Sequence, residues 1–236
     1  MKILGIDGSG LVASVAIVED DNLIGEYTTG YKKTHSQTLL PMLDELKTMV
    51  ELDLNSIDAI AVAAGPGSFT GLRIASATAK GLGLSLGCPI ISIPTVDALA
   101  FNMWGDANVI CPILDARRGQ VYTGLYDFSE DGQFNVIKEQ SAVDFHDIAK
   151  EINELGRPVT FLGDGVPVFK ELVASEVKVP YRFAPAHLNR QHASSVAALG
   201  TIYYENGDIE PAADHRPEYL RLSQAERERM EKEGKA

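Results

Sequence analysis

The same order of strand and helix patterns occurs twice along this 236-residue chain. In each half, a series of strand patterns precedes a helix, a further strand and a second helix. Each half also begins with an apolar strand that ends in an aspartate, at Ile3–Asp7 in the first half and at Cys111–Asp115 in the second. A repeated βββαβα unit of this kind predicts an α/β fold in which two similar subdomains face each other across a cleft.

The spacing of apolar residues predicts the bounds of these elements. Strands are predicted at residues 2–7, 11–18, 23–29, 57–63, 90–93, 109–115, 120–126, 134–139 and 159–162. Helices are predicted at 36–50, 72–86, 95–103, 144–155 and 192–206, with one more ending near 173, and residues 178–189 are predicted to be a loop. We expect a first subdomain at 1–104, with a C-terminal helix at 190–236 packing back on it, and a second subdomain at 105–189.

A glycine-rich loop, Gly65–Arg73, joins the fourth predicted strand to the helix at 72–86. Its glycines and its proline allow a sharp turn and a close approach of the backbone to another group. A Walker phosphate loop would have glycine where this chain has Thr70, and a lysine directly after that glycine. The loop therefore needs a different explanation, and its neighbour is either a phosphate or another protein.

The charge and the cysteines exclude several classes of protein. With 33 acidic against 21 basic residues and a net charge of −12, the chain is not expected to bind nucleic acid on its own. No apolar run reaches the roughly 18 residues that a membrane-spanning helix needs. Cys88 and Cys111 have no metal or redox spacing and precede prolines at apolar positions, which is typical of core thiols in a cytoplasmic protein.

No catalytic residue and no metal site is predicted. A nucleophilic serine would need a nearby histidine in a recognisable turn, and Ser9, Ser36, Ser68 and Ser76 lack one, since His35 beside Ser36 is interpreted as part of a helix start. The histidines include no pair spaced three or four residues apart, and they are His35, His146, His187, His192 and His215. A peptidase would need one of these arrangements.

The turns after the first strand of each half are candidates for binding nucleotide phosphates. An aspartate at a strand end can hold Mg²⁺ through water, while backbone amides face the phosphates. The candidate residues for ATP or ADP with Mg²⁺ are Asp7, Gly8, Ser9, Asp115, Gly163, Asp164 and Gly165. This arrangement resembles the actin, Hsp70 and sugar-kinase (ASKHA) superfamily. The alternative is that each aspartate merely stabilises its turn and that no cofactor is required.

Motifs along nearly the whole chain resemble those of the TsaB (YeaZ) family, up to the charged tail. They are Ile6-Asp7, Ser36–Pro41, Gly65–Arg73, Asp115–Arg118 with Val121-Tyr122, and Pro217–Arg221. One departure is Gly8-Ser9-Gly10, where the family more often carries Thr-Ser-Thr. The loss of a hydroxyl at Gly8 weakens the case for phosphate binding.

This resemblance implies a non-catalytic subunit of the machinery that places threonylcarbamoyl on the tRNA adenosine next to the anticodon. Its implied partners are a TsaD-type catalytic subunit of the same fold and a TsaE-type ATPase, with tRNA contacted only indirectly. TsaD holds a metal through two histidines, and the corresponding positions here are Thr95 and Leu99. An active ATP-dependent phosphotransferase that uses Asp7 and Asp115 remains the alternative.

The resemblance also implies that helices 36–50 and 72–86 pair with TsaD, or with a second copy of the chain when TsaD is absent. On the second of these helices we expect Ile74, Ala77, Gly81 and Leu84 to pack on the sheet and the opposite side to face the partner. The predicted interface residues are Leu39, Leu40, Leu43, Leu46, Leu72, Ala75, Ser76, Ala79 and Gly83. The alternative is that both helices are simply buried, one under the other.

Overall fold

The two halves of the chain build two separate β-sheets in the computed structural model, which describes residues 1–31 and 35–221. The first half contains β1 (Lys2–Asp7), β2 (Ala13–Glu19), β3 (Asn22–Thr29), α1 (His35–Met49), β4 (Ala59–Gly65), α2 (Phe69–Leu86), β5 (Ile90–Pro94) and α3 (Thr95–Phe101). The second contains β6 (Val109–Pro112), β7 (Leu114–Arg117), β8 (Gln120–Phe128), β9 (Phe134–Asp144), α4 (Phe145–Leu155), β10 (Val159–Leu162), α5 (Val166–Glu176), β11 (Tyr181–Phe183) and α6 (Ala193–Glu205). The predicted α/β class with two subdomains is confirmed.

The first sheet has the strand order β3-β2-β1-β4-β5 and is covered by helices on both faces. Because side chains alternate along a strand, neighbouring residues of β1 enter different cores. Leu4 packs in one core with Leu39 of α1 and Ala79 of α2. Ile3 packs in the other core with residues of α3 and with Val196 of α6. Helices α1 and α2 therefore lie side by side on one face of this sheet.

Helix α6 follows the second sheet in the chain but packs on the first. At the N-terminus of α6, the side chain of Glu26 in β3 accepts hydrogen bonds from the Ser194 amide (3.1 Å) and hydroxyl (3.0 Å), and from the His192 ring (3.2 Å). Burial alone would raise the pKa of Glu26, but the bonds from His192 and Ser194 lower it to about 2. The predicted packing of residues 222–236 lies outside the described residues, and the predicted domain boundaries stay a prediction.

The second sheet has the order β11-β10-β6-β8-β7, with β9 paired to β8. Helices α4 and α5 share its core, where the rings of Phe145 and Phe169 stack with centroids 5.2 Å apart. Helix α3 joins the two halves, because Val96 and Leu99 pack in one cluster with Ile110 and other residues of the second sheet.

Several predicted bounds differ from the structure by a few residues, as for β9, which extends to Asp144, and two predicted elements differ in kind. The strand predicted at 109–115 is split at Ile113, whose amide donates to Leu162 (2.7 Å) and whose carbonyl accepts from Gly165 (2.9 Å). The predicted loop at 178–189 contains β11, a strand too short to show a period of two, which pairs in parallel with β10.

Candidate functional site

The glycine-rich loop and the start of α2 pack on the turn that follows β1. A Cβ at Gly71 would lie closer than 3.0 Å to the carbonyl oxygen of Gly8, a separation that real side chains essentially never show. The Ser68 amide donates a hydrogen bond to the carbonyl of Ser9 (2.7 Å), and the Ser68 hydroxyl accepts from the Gly71 amide (3.3 Å). The close neighbour that the glycines allow is therefore the backbone of the chain itself.

A second backbone segment reaches the loop from the end of the described chain. Gly65 has φ +132°, and a Cβ there would lie closer than 3.0 Å to the carbonyl oxygen of Glu218. The Glu218 amide donates to the carbonyl of Ala64 (2.7 Å). We call residues 217–221 the C-terminal strap, because they cross the loop and continue to the second subdomain.

The turn after β1 is held by hydrogen bonds within the chain. Asp7 is buried, and its Oδ1 accepts from both the amide (2.8 Å) and the hydroxyl (2.6 Å) of Ser9. His35 Nε2 bonds the carbonyl of Gly10 (2.8 Å). Burial raises the pKa of the Asp7 carboxyl, and the bonds from Ser9 offset part of that rise. A phosphate at this turn would have to displace the bonds between Ser9 and Asp7.

The matching turn of the second half brings the other candidates together. Asp115 accepts from the Arg117 amide (2.8 Å) and pairs with its guanidinium (3.3 Å), while Asp164 accepts from the Asp115 amide (3.2 Å). Gly163 has φ +109° and lies against the backbone of Ile113, as Gly165 also does. Burial raises the pKa of Asp164. These residues hold one another, and the prediction that the two turns bind a nucleotide phosphate stays a prediction.

The structure offers no ligand set for a metal ion. Within residues 1–31 and 35–221, no group of three histidine, cysteine, aspartate or glutamate side chains is placed to hold one. Thr95 and Leu99, at the positions where TsaD would have its ligands, are both buried. The Oδ2 atom of Asp7 is buried and has no partner among the described residues. It is a single oxygen and does not by itself make a cation site.

Helix α2 turns toward the sheet mostly the opposite side from the one that we predicted, although Ile74 packs partly buried against the same core. Its buried stripe has only small residues four positions apart, namely Gly71, Ala75, Ala79 and Gly83. Its exposed side carries Arg73, Ala77, Gly81 and Leu84. The close approach of Gly71 to Gly8 and of Gly83 to Ala212 leaves no room for larger residues on the inner stripe. This packing decides which side faces inward.

Most of the predicted interface residues are therefore unavailable to a partner. Leu40 is 55% exposed, but the others lie in the core of the folded chain, and for them the interface prediction is wrong. The buried ones are Leu39, Leu43, Leu46, Leu72, Ala75, Ser76, Ala79 and Gly83. Their apolar character serves the packing of α1 and α2 on the first sheet.

A different surface on the same two helices is open. We define the outer helical face as Leu40 and Pro41 of α1 with Ala77, Gly81 and Leu84 of α2, all of them exposed. Leu84 is 60% exposed, and nothing lies within 4 Å of where a Gly81 Cβ would be. Small residues recur at four-residue spacing on both sides of α2, since Ala77 and Gly81 repeat it on the exposed side, so this sequence signal does not separate the buried side from this face.

Comparisons with known proteins agree on one family. A family model described as TsaD, tRNA N6-adenosine threonylcarbamoyltransferase, matches residues 22–229. The Bacillus subtilis tRNA threonylcarbamoyladenosine biosynthesis protein TsaB is 35% identical over 226 residues, which cover 96% of each chain. The Escherichia coli protein of the same name is 29% identical and covers 73% of this chain and 75% of its own.

Solved structures agree with these relatives. YeaZ from Pseudomonas aeruginosa has a TM-score of 0.78 and 26% identity, covering 93% of this chain and 99% of its own. A further P. aeruginosa structure, described as similar to peptidase YeaZ, has a TM-score of 0.80 and 25% identity over the same shares. The fold is of the ASKHA type. Among the described residues, no helix is both long and apolar enough to span a membrane.

Proposed function

Because the chain belongs to the TsaB family of tRNA threonylcarbamoyladenosine biosynthesis proteins, we propose that it is an accessory subunit that binds a TsaD-type catalytic subunit. The outer helical face is the proposed contact. We also propose that it acts in the cytoplasm and contacts tRNA only through its partners, including a TsaE-type ATPase. Its net charge of −12 is in keeping with this, since a phosphate backbone favours basic surfaces.

The observation that carries this proposal is the exposed stripe of small and apolar residues along α1 and α2. Small residues such as Ala77 and Gly81 let another helix approach closely, and the exposed Leu40 and Leu84 supply apolar area. The match to a TsaD family model supports a partner with the same kind of fold, and such a partner would have corresponding helices to offer. A second copy of this chain could occupy the same face when that subunit is absent.

The closed turns support an accessory role. The Ser9 amide and hydroxyl bond Asp7, and Asp115 bonds Arg117, so these groups would have to reorganise before they could bind Mg-ATP. Transition-state stabilisation depends on donors that are already aimed at the reacting group. Asp7 Oδ1, Ser9 and Asp115 are instead engaged within the chain.

The direct test of partner binding uses the full chain and the TsaD-type subunit from the same organism. We expect a one-to-one complex when the purified proteins are mixed and their molar mass is measured by light scattering after size exclusion. Separate elution of the two proteins at micromolar concentrations would contradict the proposal. The chain alone, at matched concentrations, distinguishes this complex from self-pairing.

Nucleotide binding separates the accessory role from the phosphotransferase alternative. We expect calorimetric titration of the lone chain with ATP and Mg²⁺ to give no saturable binding tighter than about 1 mM. The hydrogen bonds within the two turns would have to break before a phosphate could bind, and this cost reduces the net binding free energy. The Asp7→Asn variant is the control for a site at this turn. Tighter binding that the variant loses, together with ATP hydrolysis, would favour the phosphotransferase.

A further inference from the structure

Arg73 stands at one end of the outer helical face, beside two aromatic rings that stack on each other. We propose that this guanidinium is the polar anchor of the face and that it binds a carboxylate on the TsaD-type subunit. The inference rests on the proposed function and adds to it the chemistry that the partner must present. Four observations support it. They are the contacts that hold the guanidinium, its position on the helix, the lack of an acidic partner among the described residues, and the segment that supplies Tyr219.

The guanidinium is held in place by the chain itself. The rings of Phe69 and Tyr219 stack with centroids 4.6 Å apart and planes 8° from parallel. Arg73 Cζ lies 5.9 Å from the Phe69 centroid and 5.7 Å from that of Tyr219, and Arg73 Nε donates to the Tyr219 hydroxyl (3.0 Å). A side chain that is already ordered loses less entropy when it binds, so this arginine is prepared for a contact.

The position of Arg73 continues the outer helical face. Arg73, Ala77, Gly81 and Leu84 follow one another at spacings of three and four residues, and all are exposed. Such spacings place residues on one side of a helix. A helix that packs along Ala77 and Gly81 would therefore pass directly beside the guanidinium.

The charge of Arg73 has no acidic partner among the residues that the structure describes. Among residues 1–31 and 35–221, no carboxylate forms an ion pair with it. The exposed side of neighbouring α1 carries Asp44 and Glu45, and the chain as a whole is strongly acidic. With Nε engaged by Tyr219, the terminal amino groups remain to bind a carboxylate. Because the surrounding surface is acidic, a single fixed cation contributes little to the overall electrostatic attraction. Its main effect is to fix where along the face the partner helix binds.

The supports of the anchor come from distant parts of the sequence. Tyr219 lies on the C-terminal strap, which is fixed on one side by the bond from the Glu218 amide to Ala64. On the other side Arg221 Nη1 donates to the carbonyl of Ala116 in β7 (2.5 Å). This gives the strap a role: it holds the ring and the hydroxyl that orient Arg73.

The test measures the affinity of the full chain for the TsaD-type subunit at about 50 and about 300 mM salt, where screening differs strongly. We expect Arg73→Gln to weaken binding roughly 10- to 100-fold at low salt and to flatten its salt dependence. Arg73→Lys keeps the charge but loses the planar guanidinium, so its affinity should lie between those of the wild type and Arg73→Gln. Tyr219→Phe keeps the ring and removes only the hydroxyl that orients Arg73, so a few-fold loss is expected.

Arg118→Gln is the matched control, since it makes the same charge change at an exposed position of the second subdomain. It should leave affinity and salt dependence unchanged. If Arg73→Gln behaves like this control while Ala77→Arg still abolishes the complex, the anchor is refuted and the proposed function stands. A loss that appears only with a lower melting temperature, or only in binding to tRNA, would also refute the anchor. If neither Arg73→Gln nor Ala77→Arg affects binding, both the anchor and the outer helical face are refuted as the contact; the proposed function itself fails only if the unchanged chain forms no complex.

Discussion

Replacing Ala77 with arginine should abolish the complex with a TsaD-type subunit and leave the chain folded. Ala77 is exposed on α2, so in the free chain the new side chain extends into solvent. In the complex the same side chain would have to fit between two closely packed helices, and its charge would lose water. Clashes and desolvated charges at an interface cost several kcal/mol, so we expect affinity to fall by at least about 100-fold.

Ala174→Arg is the matched control, because Ala174 is an exposed alanine on α5 of the second subdomain. Both variants have the same composition and the same net charge. Size exclusion with light scattering measures the complex, and the melting temperature measures the fold. Co-elution of Ala77→Arg with the TsaD-type subunit at wild-type affinity would show that the outer helical face is not the contact.

The choice of position matters for this experiment. From the sequence alone, Ala75 and Ala79 are the positions to change, but both are 0% exposed and lie against the first sheet. A charge there would be buried without a partner, and the protein would unfold. Loss of the complex in those variants would report on stability and not on the interface.

Two glycines of helix α2 should respond in opposite ways to the same substitution. Gly71→Ala is expected to lower the free energy of unfolding by about 3 kcal/mol or more, because the new Cβ meets the backbone carbonyl of Gly8, which cannot easily move. Gly81→Ala is expected to raise it by about 0.5–1 kcal/mol, since the site is open and alanine is the better helix former.

Urea unfolding followed by circular dichroism measures the free energy of unfolding of both variants and of the wild type. The three can be compared if the dependence of that free energy on urea concentration is the same in each. Each glycine serves as the control for the other, because the helix and the substitution are the same. Equal effects at the two positions would mean that the loop does not depend on the close contact with the turn after β1. In that case the contact with the turn after β1 would no longer explain why the loop contains glycines, and a bound ligand would be the remaining explanation.

Much of the architecture could be predicted from residue patterns. The repeated element order, with Asp7 and Asp115 at the strand ends, predicts the two subdomains, and the motifs along the chain predict the family. The inner side of α2 could not be predicted in the same way. Apolar residues lie on two sides of this helix, and a hydrophobic pattern ranks Ile74 and Leu84 above Ala75 and Ala79 as core residues.

The sequence alone determined the class of fold and the family, because these depend on the identity and order of residues. The tertiary structure decided what the glycine-rich loop approaches and which side of α2 is free. Both depend on distances between segments far apart in the chain: Gly71 meets Gly8, Gly65 meets Glu218, and Arg73 meets Tyr219. Steric contact at such places selects the small residues for the interior and leaves Ala77 and Gly81 outside. No local pattern contains that information.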